Sequence, residues 1–351
     1  MSSSRDETGR ALITRRAALL GLAAGSALLS APDLARAEDE WGKIVAAAKK
    51  EGHVVLYSAF VGLAAHQDLK KDFESIFGIT VDILEARASE VRERIRMEHT
   101  AGRYAADVSE NGRTTTTLQI KEDQVFDPFG PLPALGNLKP EFRSDGMRLP
   151  IFAIVYGILA NTQLVKPSDE PKSWLDLTDP RWKGKILSDD FRALGGGGVL
   201  FSVLEDHYGQ DFHKKLAQQA IQFGREIPAN ERRVARGEYP LYIPDSLTAL
   251  PTLKGLPVKF LVPKEGLPYI GYDLALLKDA PHPNAARVLM NYYLGQKMQQ
   301  AFAKLGLLPV TTETFPDVDP VIAELQKSKL LGTTDPARMN EMLDLAKQIY
   351  H

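Results

Sequence analysis

Apolar and amphipathic segments alternate along the first third of the chain, and this alternation predicts strands and helices in turn. Short apolar runs at 53–58, 79–84 and 106–108 are typical of strands. Between them, at 63–77 and 87–100, apolar residues recur with the spacing of one helix face. A strand–helix–strand order requires right-handed crossovers and therefore predicts a parallel sheet. Ligands of such sheets bind at the carboxyl ends of the strands.

The remaining pattern predicts a second α/β unit and a return to the first. The strongly apolar run 151–160 predicts a buried strand that crosses between the units. Runs at 239–243 and 272–277 predict a strand of the second unit and a strand that returns to the first, and a closing helix is expected at 284–305. A chain of 351 residues exceeds the usual size of a single core, so we expect two lobes.

The first residues have the order of an export signal: a positively charged end, an apolar stretch and a small-x-small cleavage site. These are Thr14-Arg15-Arg16, residues 17–29 and Ala35-Arg36-Ala37. The apolar stretch is shorter than the about 20 residues that span a bilayer, so it predicts cleavage and not a membrane anchor. The arginine pair resembles a twin-arginine (Tat) signal, with an ordinary Sec leader as the alternative. We therefore expect a soluble, exported, periplasmic protein.

These expectations divide the chain into four segments. They are an export signal at 1–37, the first part of lobe 1 at 38–157, lobe 2 at 158–262, and a return to lobe 1 with C-terminal helices at 263–351.

Composition excludes several classes of function. The chain has no cysteine, so it forms no disulfide and carries no cysteine-linked lipid. Its formal net charge is −2 and it has no run of lysine and arginine, so it lacks the electrostatic footprint of a nucleic-acid-binding protein. We expect a monomer without a cofactor.

Three stretches resemble one family. The first is Trp41-Gly42-Lys43-Ile44-Val45, continued by Glu51-Gly52 and the strand-like run after it; the others lie at 174–186 and 280–286. They are similar to periplasmic solute-binding proteins of ABC importers, family 1, in the ferric-binding-protein-like group. The resemblance implies a type II periplasmic binding protein with two α/β lobes, a two-segment hinge and a cleft that closes on its ligand. It also implies docking on an ABC permease in the inner membrane.

The ligand is the point at which the chain departs from that group. Ferric binders of the group hold iron with two adjacent tyrosines after the strand that here is 239–243, where this chain has Asp245-Ser246. Its own adjacent pair, Tyr292-Tyr293, falls inside the predicted closing helix. We therefore expect a small anionic or zwitterionic organic solute, with ferric iron, free or chelated, as the alternative.

Candidate ligand-binding residues follow predicted strands or begin predicted helices. Arginine offers a planar fork to carboxylate, phosphonate or sulfonate groups, a glycine lets a ligand approach the backbone, and tyrosine can stack or hydrogen bond. Each also has a structural interpretation, such as a helix cap, core packing or, for Arg113, an internal ion pair with Glu110. The candidates are Ser58, Ala59, Phe60, Glu110, Arg113, Tyr156, Arg192, Gly196, Asn230, Arg232, Asp245, Ser246 and Tyr272.

Two other classes share most of these features: a soluble periplasmic hydrolase and a signalling subunit that presents its ligand to a receptor. The sequence contains neither a Gly-x-Ser-x-Gly elbow nor a His-Glu-x-x-His motif. His207 and His213 are not spaced to share a helix face and bind a metal together. We therefore expect no enzymatic activity.

Overall fold

The computed structural model describes residues 31–351, and the side chains from residue 38 onward. The expected export signal at 1–37 therefore lies outside the described side chains, and its cleavage stays a prediction. No helix among the described residues is long and apolar enough to cross a membrane.

Helices and strands alternate through most of the described chain. The α-helices are α1 (Ala31–Glu51), α2 (Ala65–Phe77), α3 (Ala88–Thr100), α4 (Arg113–Leu118), α5 (Gly196–Tyr208), α6 (Gln210–Ala217), α7 (Ile227–Ala235), α8 (Pro283–Tyr293), α9 (Gln296–Lys304), α10 (Pro320–Leu325) and α11 (Met339–Ile349). The strands are β1 (His53–Ser58), β2 (Thr80–Glu85), β3 (Val108–Gly112), β4 (Phe126–Asp127), β5 (Leu149–Asn161), β6 (Ile186–Ser188), β7 (Gln222–Phe223), β8 (Leu241–Ser246), β9 (Val258–Leu261), β10 (Leu267–Leu277), β11 (Leu308–Pro309) and β12 (Leu330–Gly332).

The first strands and helices form as their sequence pattern predicts. On α2, Leu69 and Phe73 are one turn apart and fully buried, and the helix ends where Gly78 adopts a left-handed conformation with φ 68°. Val54 and Leu56 alternate with half-buried residues along β1. Strand β1 pairs in parallel with β2 and with β3, so the predicted parallel sheet is present.

The strands share one sheet, whose main path runs β2-β1-β3-β10-β5-β8-β6-β7. Strand β10 lies antiparallel to both β3 and β5, and β5 lies antiparallel to β8. Beyond β8, strands β6 and β7 continue in parallel. The two parallel parts of the sheet are therefore joined through the long antiparallel strands β5 and β10.

Two large buried clusters lie on either side of this junction, and β5 contributes to both. Phe152 and Val155 belong to the first cluster, whereas Ile158 and Ala160 belong to the second. Between them, Gly157 lies so close to β9 that a Cβ would come within 2.5 Å of the Phe260 ring. The predicted crossing strand is thus a single continuous strand that passes from one core to the other.

The C-terminal part of the chain differs from the predicted pattern in two places. The closing helix expected at 284–305 is interrupted by Leu294 and the extended Gly295, and forms the two helices α8 and α9. The last helix, α11, packs into the second cluster through Met342, Ala346 and the neighbouring Tyr350. Its contacts are therefore with α5 and α6, and not with the first cluster.

Candidate functional site

Strand ends from both parts of the sheet meet along the middle of β5. In the strand register, Tyr272 of β10 faces Gly112 at the end of β3 and Phe152 of β5. A few residues along β5, Tyr156 and Gly157 face Ser246 and Asp245 at the end of β8. Because carboxyl ends of strands are where α/β sheets bind ligands, this stretch of β5 is the candidate site.

An aromatic group closes the side of the site nearest β1. The rings of Phe152 and Tyr272 stack with centroids 4.9 Å apart, and Phe60 lies 5.6 Å from Tyr272. The Ser58 hydroxyl accepts a hydrogen bond from the Phe60 amide at 3.0 Å, and the Ala59 amide donates to the Glu110 carbonyl at 2.8 Å. Ser58 and Phe60 are thus held in a turn, and Phe60 packs against the two other rings.

Tyr156 lies at the centre of the site. Its side chain packs against the start of α5, where a Cβ at Gly196 would come within 2.9 Å of the ring. Burial, and then the neighbouring Tyr272 and Asp189, raise the pKa of Tyr156 well above its usual range. Around Tyr156 the structure therefore brings together the predicted residues Gly196 and Tyr272.

Asp189 was not among the predicted residues, although it directly follows β6. Its carboxylate accepts the amides of Gly197 at 2.8 Å and Asp190 at 2.9 Å, so it caps the start of α5. Burial nevertheless raises the pKa of Asp189 above its usual range.

A pair of buried acids lies at the end of β8 and on α7. Asp245 is completely buried, and neither of its carboxylate oxygens forms a well-directed hydrogen bond among the described residues, although the Ser246 amide and the Glu231 carboxyl lie beside it. Burial and the neighbouring Glu231 raise the pKa of Asp245, and burial likewise raises the pKa of Glu231. We call Glu231 and Asp245 the acid pair. No arginine or lysine hydrogen bonds to it among the described contacts, so the two acids are not neutralised by a cation in contact.

Tyr242 adds a third oxygen-bearing side chain beside the acid pair. It lies on β8 and is completely buried, and its hydroxyl forms no well-directed hydrogen bond within the described part of the chain, although the Asn230 side chain lies beside it. Burial, then the carboxylates of Asp189 and Asp245, raise the pKa of this hydroxyl well above its usual range. An unpartnered buried polar group is costly, so this cluster of oxygens is a candidate ligand contact.

The other predicted residues of this region make local contacts. Asn230 donates from its side-chain amide to the Gly224 carbonyl at 3.0 Å and so closes the turn before α7. The Ser246 hydroxyl is hydrogen bonded to the Thr248 hydroxyl.

Two of the three predicted arginines have partners within the protein. Arg113 forms two hydrogen bonds, of 3.2 and 3.0 Å, with Asp273, which is completely buried. Arg192 contacts Asp190 at 2.8 Å and lies 4.8 Å above the ring of Phe223. Each of these two guanidinium groups thus has a carboxylate partner within the protein.

Arg232 and Glu110 have different surroundings. Arg232 is exposed on α7, and its charge lowers the pKa of the adjacent Glu231 in part, against the stronger effect of burial. The Glu110 carboxylate contacts the His66 ring at 2.9 Å, so the internal pair that the sequence suggested between Glu110 and Arg113 is absent.

Within the described residues, no group of three or more histidines, cysteines and acids is arranged to hold a metal ion. The oxygens of the acid pair and of Tyr242 can contribute to a metal or accept hydrogen bonds, but they do not form a complete metal site by themselves. Any metal held here would need further ligands from elsewhere.

Comparison with known proteins identifies the class. Residues 116–335 match the family of bacterial extracellular solute-binding proteins, and the chain belongs to this family.

Solved structures show the same fold. Iron-bound HitA from Pseudomonas aeruginosa superimposes with a TM-score of 0.68 at 21% identity, covering 85% of this chain and 99% of that one. Trichodesmium IdiA (FutA) in complex with iron and citrate gives a TM-score of 0.72 at 20% identity, and the match covers 85% of this chain and 99% of that one. The ferric iron-binding protein A of Mannheimia haemolytica, in an open conformation, gives a TM-score of 0.71 at 18% identity, and the match covers 85% of this chain and 98% of that one. The chain therefore has the expected type II periplasmic binding protein fold of the ferric-binding-protein-like group.

Relatives found by sequence are matched over shorter regions. An uncharacterized protein of Haemophilus influenzae is 28% identical over 193 residues, which is 52% of this chain and 55% of the relative. Iron uptake protein A1 of Synechocystis is 31% identical over 121 residues, or 34% of this chain and 33% of the relative. The matches thus cover little more than half the length of the first relative and a third of the second.

Proposed function

We propose that the protein captures a solute outside the inner membrane and delivers it to an ABC permease. Membership of the extracellular solute-binding family supports this role. In this proposal the two buried clusters are the cores of two lobes, and β5 with the chain between β9 and β10 forms the hinge. Closure would join the aromatic group of Phe60, Phe152 and Tyr272 to the acid pair.

The solute we propose is ferric iron carried by a small oxygen-rich chelator. Iron uptake protein A1 of Synechocystis and the iron-binding neighbours of known structure favour iron over a purely organic solute. Ferric iron is a hard cation that prefers anionic oxygen, and the acid pair with Tyr242 offers such oxygens.

The observation that carries this proposal is the unpartnered carboxylate of Asp245. A buried carboxylate normally has a cation or several donors around it, because its desolvation is otherwise uncompensated. Here neither oxygen forms a well-directed hydrogen bond among the described residues, and the carboxyl lies beside that of Glu231, another acid. A cationic centre that arrives with the ligand would compensate both acids at once.

A chelate suits the site better than the bare ion. Protein oxygens from Glu231, Tyr242 and Asp245 do not amount to a complete coordination sphere, since no three-ligand group of acids and histidines is present in the described part. Carboxylate and hydroxyl oxygens of a chelator would fill the remaining positions. The aromatic group across the site would then contact the chelator's carbon skeleton.

The test is equilibrium dialysis of the purified protein against ferric citrate, followed by metal analysis of the retained fraction. We expect about one iron per chain, with citrate alone giving no competition at equal concentration. Asp245→Asn should retain little iron, whereas the matched control Asp211→Asn, an exposed aspartate on α6, should bind normally. A wild-type protein that retains no iron but binds a simple organic anion would support the organic alternative instead.

A further inference from the structure

A second buried polar cluster lies in the first lobe, beneath the ends of β2 and β3. His66, in the first turn of α2, is 1% exposed and contacts a carboxylate with each ring nitrogen. Its Nδ1 lies 2.8 Å from Glu85 at the end of β2, and its Nε2 lies 2.9 Å from Glu110 on β3. A single imidazole therefore bridges β2 and β3, the two strands on either side of β1.

Two carboxylates at hydrogen-bond distance, one on each ring nitrogen, favour an imidazole with both nitrogens protonated. A neutral imidazole has one N–H and one bare nitrogen, which would face a carboxylate oxygen without a hydrogen bond. With two protons, the ring donates to both acids and its charge offsets part of theirs. Burial alone would lower the pKa of His66, but the charges and hydrogen bonds of Glu110 and Glu85 outweigh it and raise the pKa above the usual value.

The bridge also holds the loop that leads into the candidate site. The second oxygen of Glu85 accepts the Gly62 amide at 2.7 Å, and the Glu110 carbonyl accepts the Ala59 amide at 2.8 Å. Both ends of the segment 59–62, which carries Phe60, are thus attached to the two acids that His66 joins. Breaking the bridge would release this segment from the strand ends.

Other ionisable groups around the bridge cannot replace His66. Lys70, on the same helix, lowers the pKa of Glu85 only as the last of several causes. Tyr293 of α8 lies beside Glu110, and its hydroxyl is completely buried and keeps its proton because burial, and then Glu110, raise its pKa. Tyr272 of β10 is likewise neutral, since burial and Glu110 raise its pKa to about 12. His66 is therefore the cation in direct contact with both acids.

We propose that His66 is a positioning residue of the solute site: doubly protonated, it holds the loop 59–62 in its binding position, and solute affinity falls as His66 loses its proton. The part of this inference that concerns affinity rests on the proposed capture of ferric citrate, whereas the part that concerns the loop does not.

His213 provides a matched control within the same chain. It is also completely buried, but in the second cluster's region, where its nitrogens contact the Tyr350 hydroxyl and the Phe201 carbonyl at 3.0 Å each. Burial lowers the pKa of His213 to about 4, so this histidine is neutral at the pH at which His66 is charged. His213→Gln thus removes a buried histidine without removing a charge.

The first experiment measures amide hydrogen exchange of the segment 59–65 in the ligand-free protein from about pH 6 to about pH 9.5, a range that starts near the ordinary histidine value. After correction for intrinsic exchange, wild type should show a step to faster exchange as pH rises. His66→Gln should be fast at every pH, and His213→Gln should retain the wild-type step. Slow exchange in His66→Gln, or a pH step that persists in it, would overturn the proposal.

The second experiment measures the dissociation constant for ferric citrate at the acidic end of that range. His66→Gln should bind about 10-fold or more weakly, the usual effect of removing a residue that orients a ligand contact. Glu85→Gln keeps the contact to Gly62 through its amide oxygen and should bind with less loss than His66→Gln. Normal affinity in His66→Gln would overturn the affinity claim. If wild type does not bind ferric citrate, the capture proposal fails, while the exchange result still decides the loop.

Discussion

Replacing Asp245 with asparagine should stabilise the empty protein and abolish solute binding. Both Asp245 oxygens are buried without well-directed hydrogen bonds among the described residues, and Glu231 is the neighbouring acid. Leaving a buried polar group unsatisfied costs about 1–3 kcal/mol. An amide at position 245 removes the acid–acid contact and can donate to Glu231, so we expect about 1–2 kcal/mol of added stability.

The gain should depend on pH in a defined direction. Burial raises the pKa of Asp245 in the folded state. The free-energy penalty of ionising Asp245 in the folded protein is therefore absent below the ordinary aspartate pKa, and it grows as pH rises towards the pKa in the folded state. The stability difference between Asp245→Asn and wild type should therefore be largest near neutral pH and shrink at acidic pH. Urea denaturation at several pH values, followed by tryptophan fluorescence, measures it.

Asp107 is the matched control for this measurement. It is also completely buried, but its carboxylate accepts the amides of Val55 and His282 at 2.8 and 2.6 Å and contacts the His282 ring at 3.0 Å. Asp107→Asn should lose about 2 kcal/mol or more, because hydrogen bonds to charged groups are the stronger ones. If Asp245→Asn and Asp107→Asn destabilised the protein equally, this would refute the reasoning that the buried Asp245 carboxylate lowers the stability of the ligand-free protein.

Three further substitutions test the remaining geometry. Gly196→Ala should cost about 1–3 kcal/mol and weaken ferric citrate binding, because the added Cβ displaces the Tyr156 ring 2.9 Å away; unchanged melting and affinity would contradict this packing. Arg113→Ala should lower the free energy of unfolding, measured by urea denaturation, by about 3–5 kcal/mol, because it leaves the fully buried Asp273 unpaired. A variant of unchanged stability would instead favour a role of Arg113 in ligand binding. Arg232→Ala, on an exposed residue, should change stability by less than about 0.5 kcal/mol and leave iron binding intact. A loss of organic-anion binding in the last variant, measured by calorimetry, would favour the alternative solute.

Hydrophobic patterning predicted the sheet because burial repeats with the period of each element. The runs that form β1, β2 and β3 are apolar, short and separated by helical periodicity, which leaves a parallel arrangement as the natural solution. The strand β5 was equally clear from its unbroken apolar run. The break between α8 and α9 was missed, although Gly295 within a helical pattern is a recognised signal for it.

Side-chain partners in the site could not be read from the sequence. Arg113 pairs with Asp273, which is 160 positions away, so no local spacing indicates the contact. One structural alternative for Arg113 is an internal pair with Glu110, yet Glu110 contacts His66. Tyr242 had the pattern of a core strand residue, and only the fold reveals that its hydroxyl forms no well-directed hydrogen bond within the described chain. Local propensity determines which residues reach the strand ends, and tertiary packing determines which of them remain available.

Anomalous diffraction at the iron absorption edge, from crystals of the protein grown with ferric citrate, tests the central claim most directly. The account predicts one strong peak per chain within coordination distance of Asp245, on the side of the site that faces Tyr156 and Tyr272. A peak at the protein surface, or density for citrate without any anomalous signal, would contradict ferric iron as the captured solute.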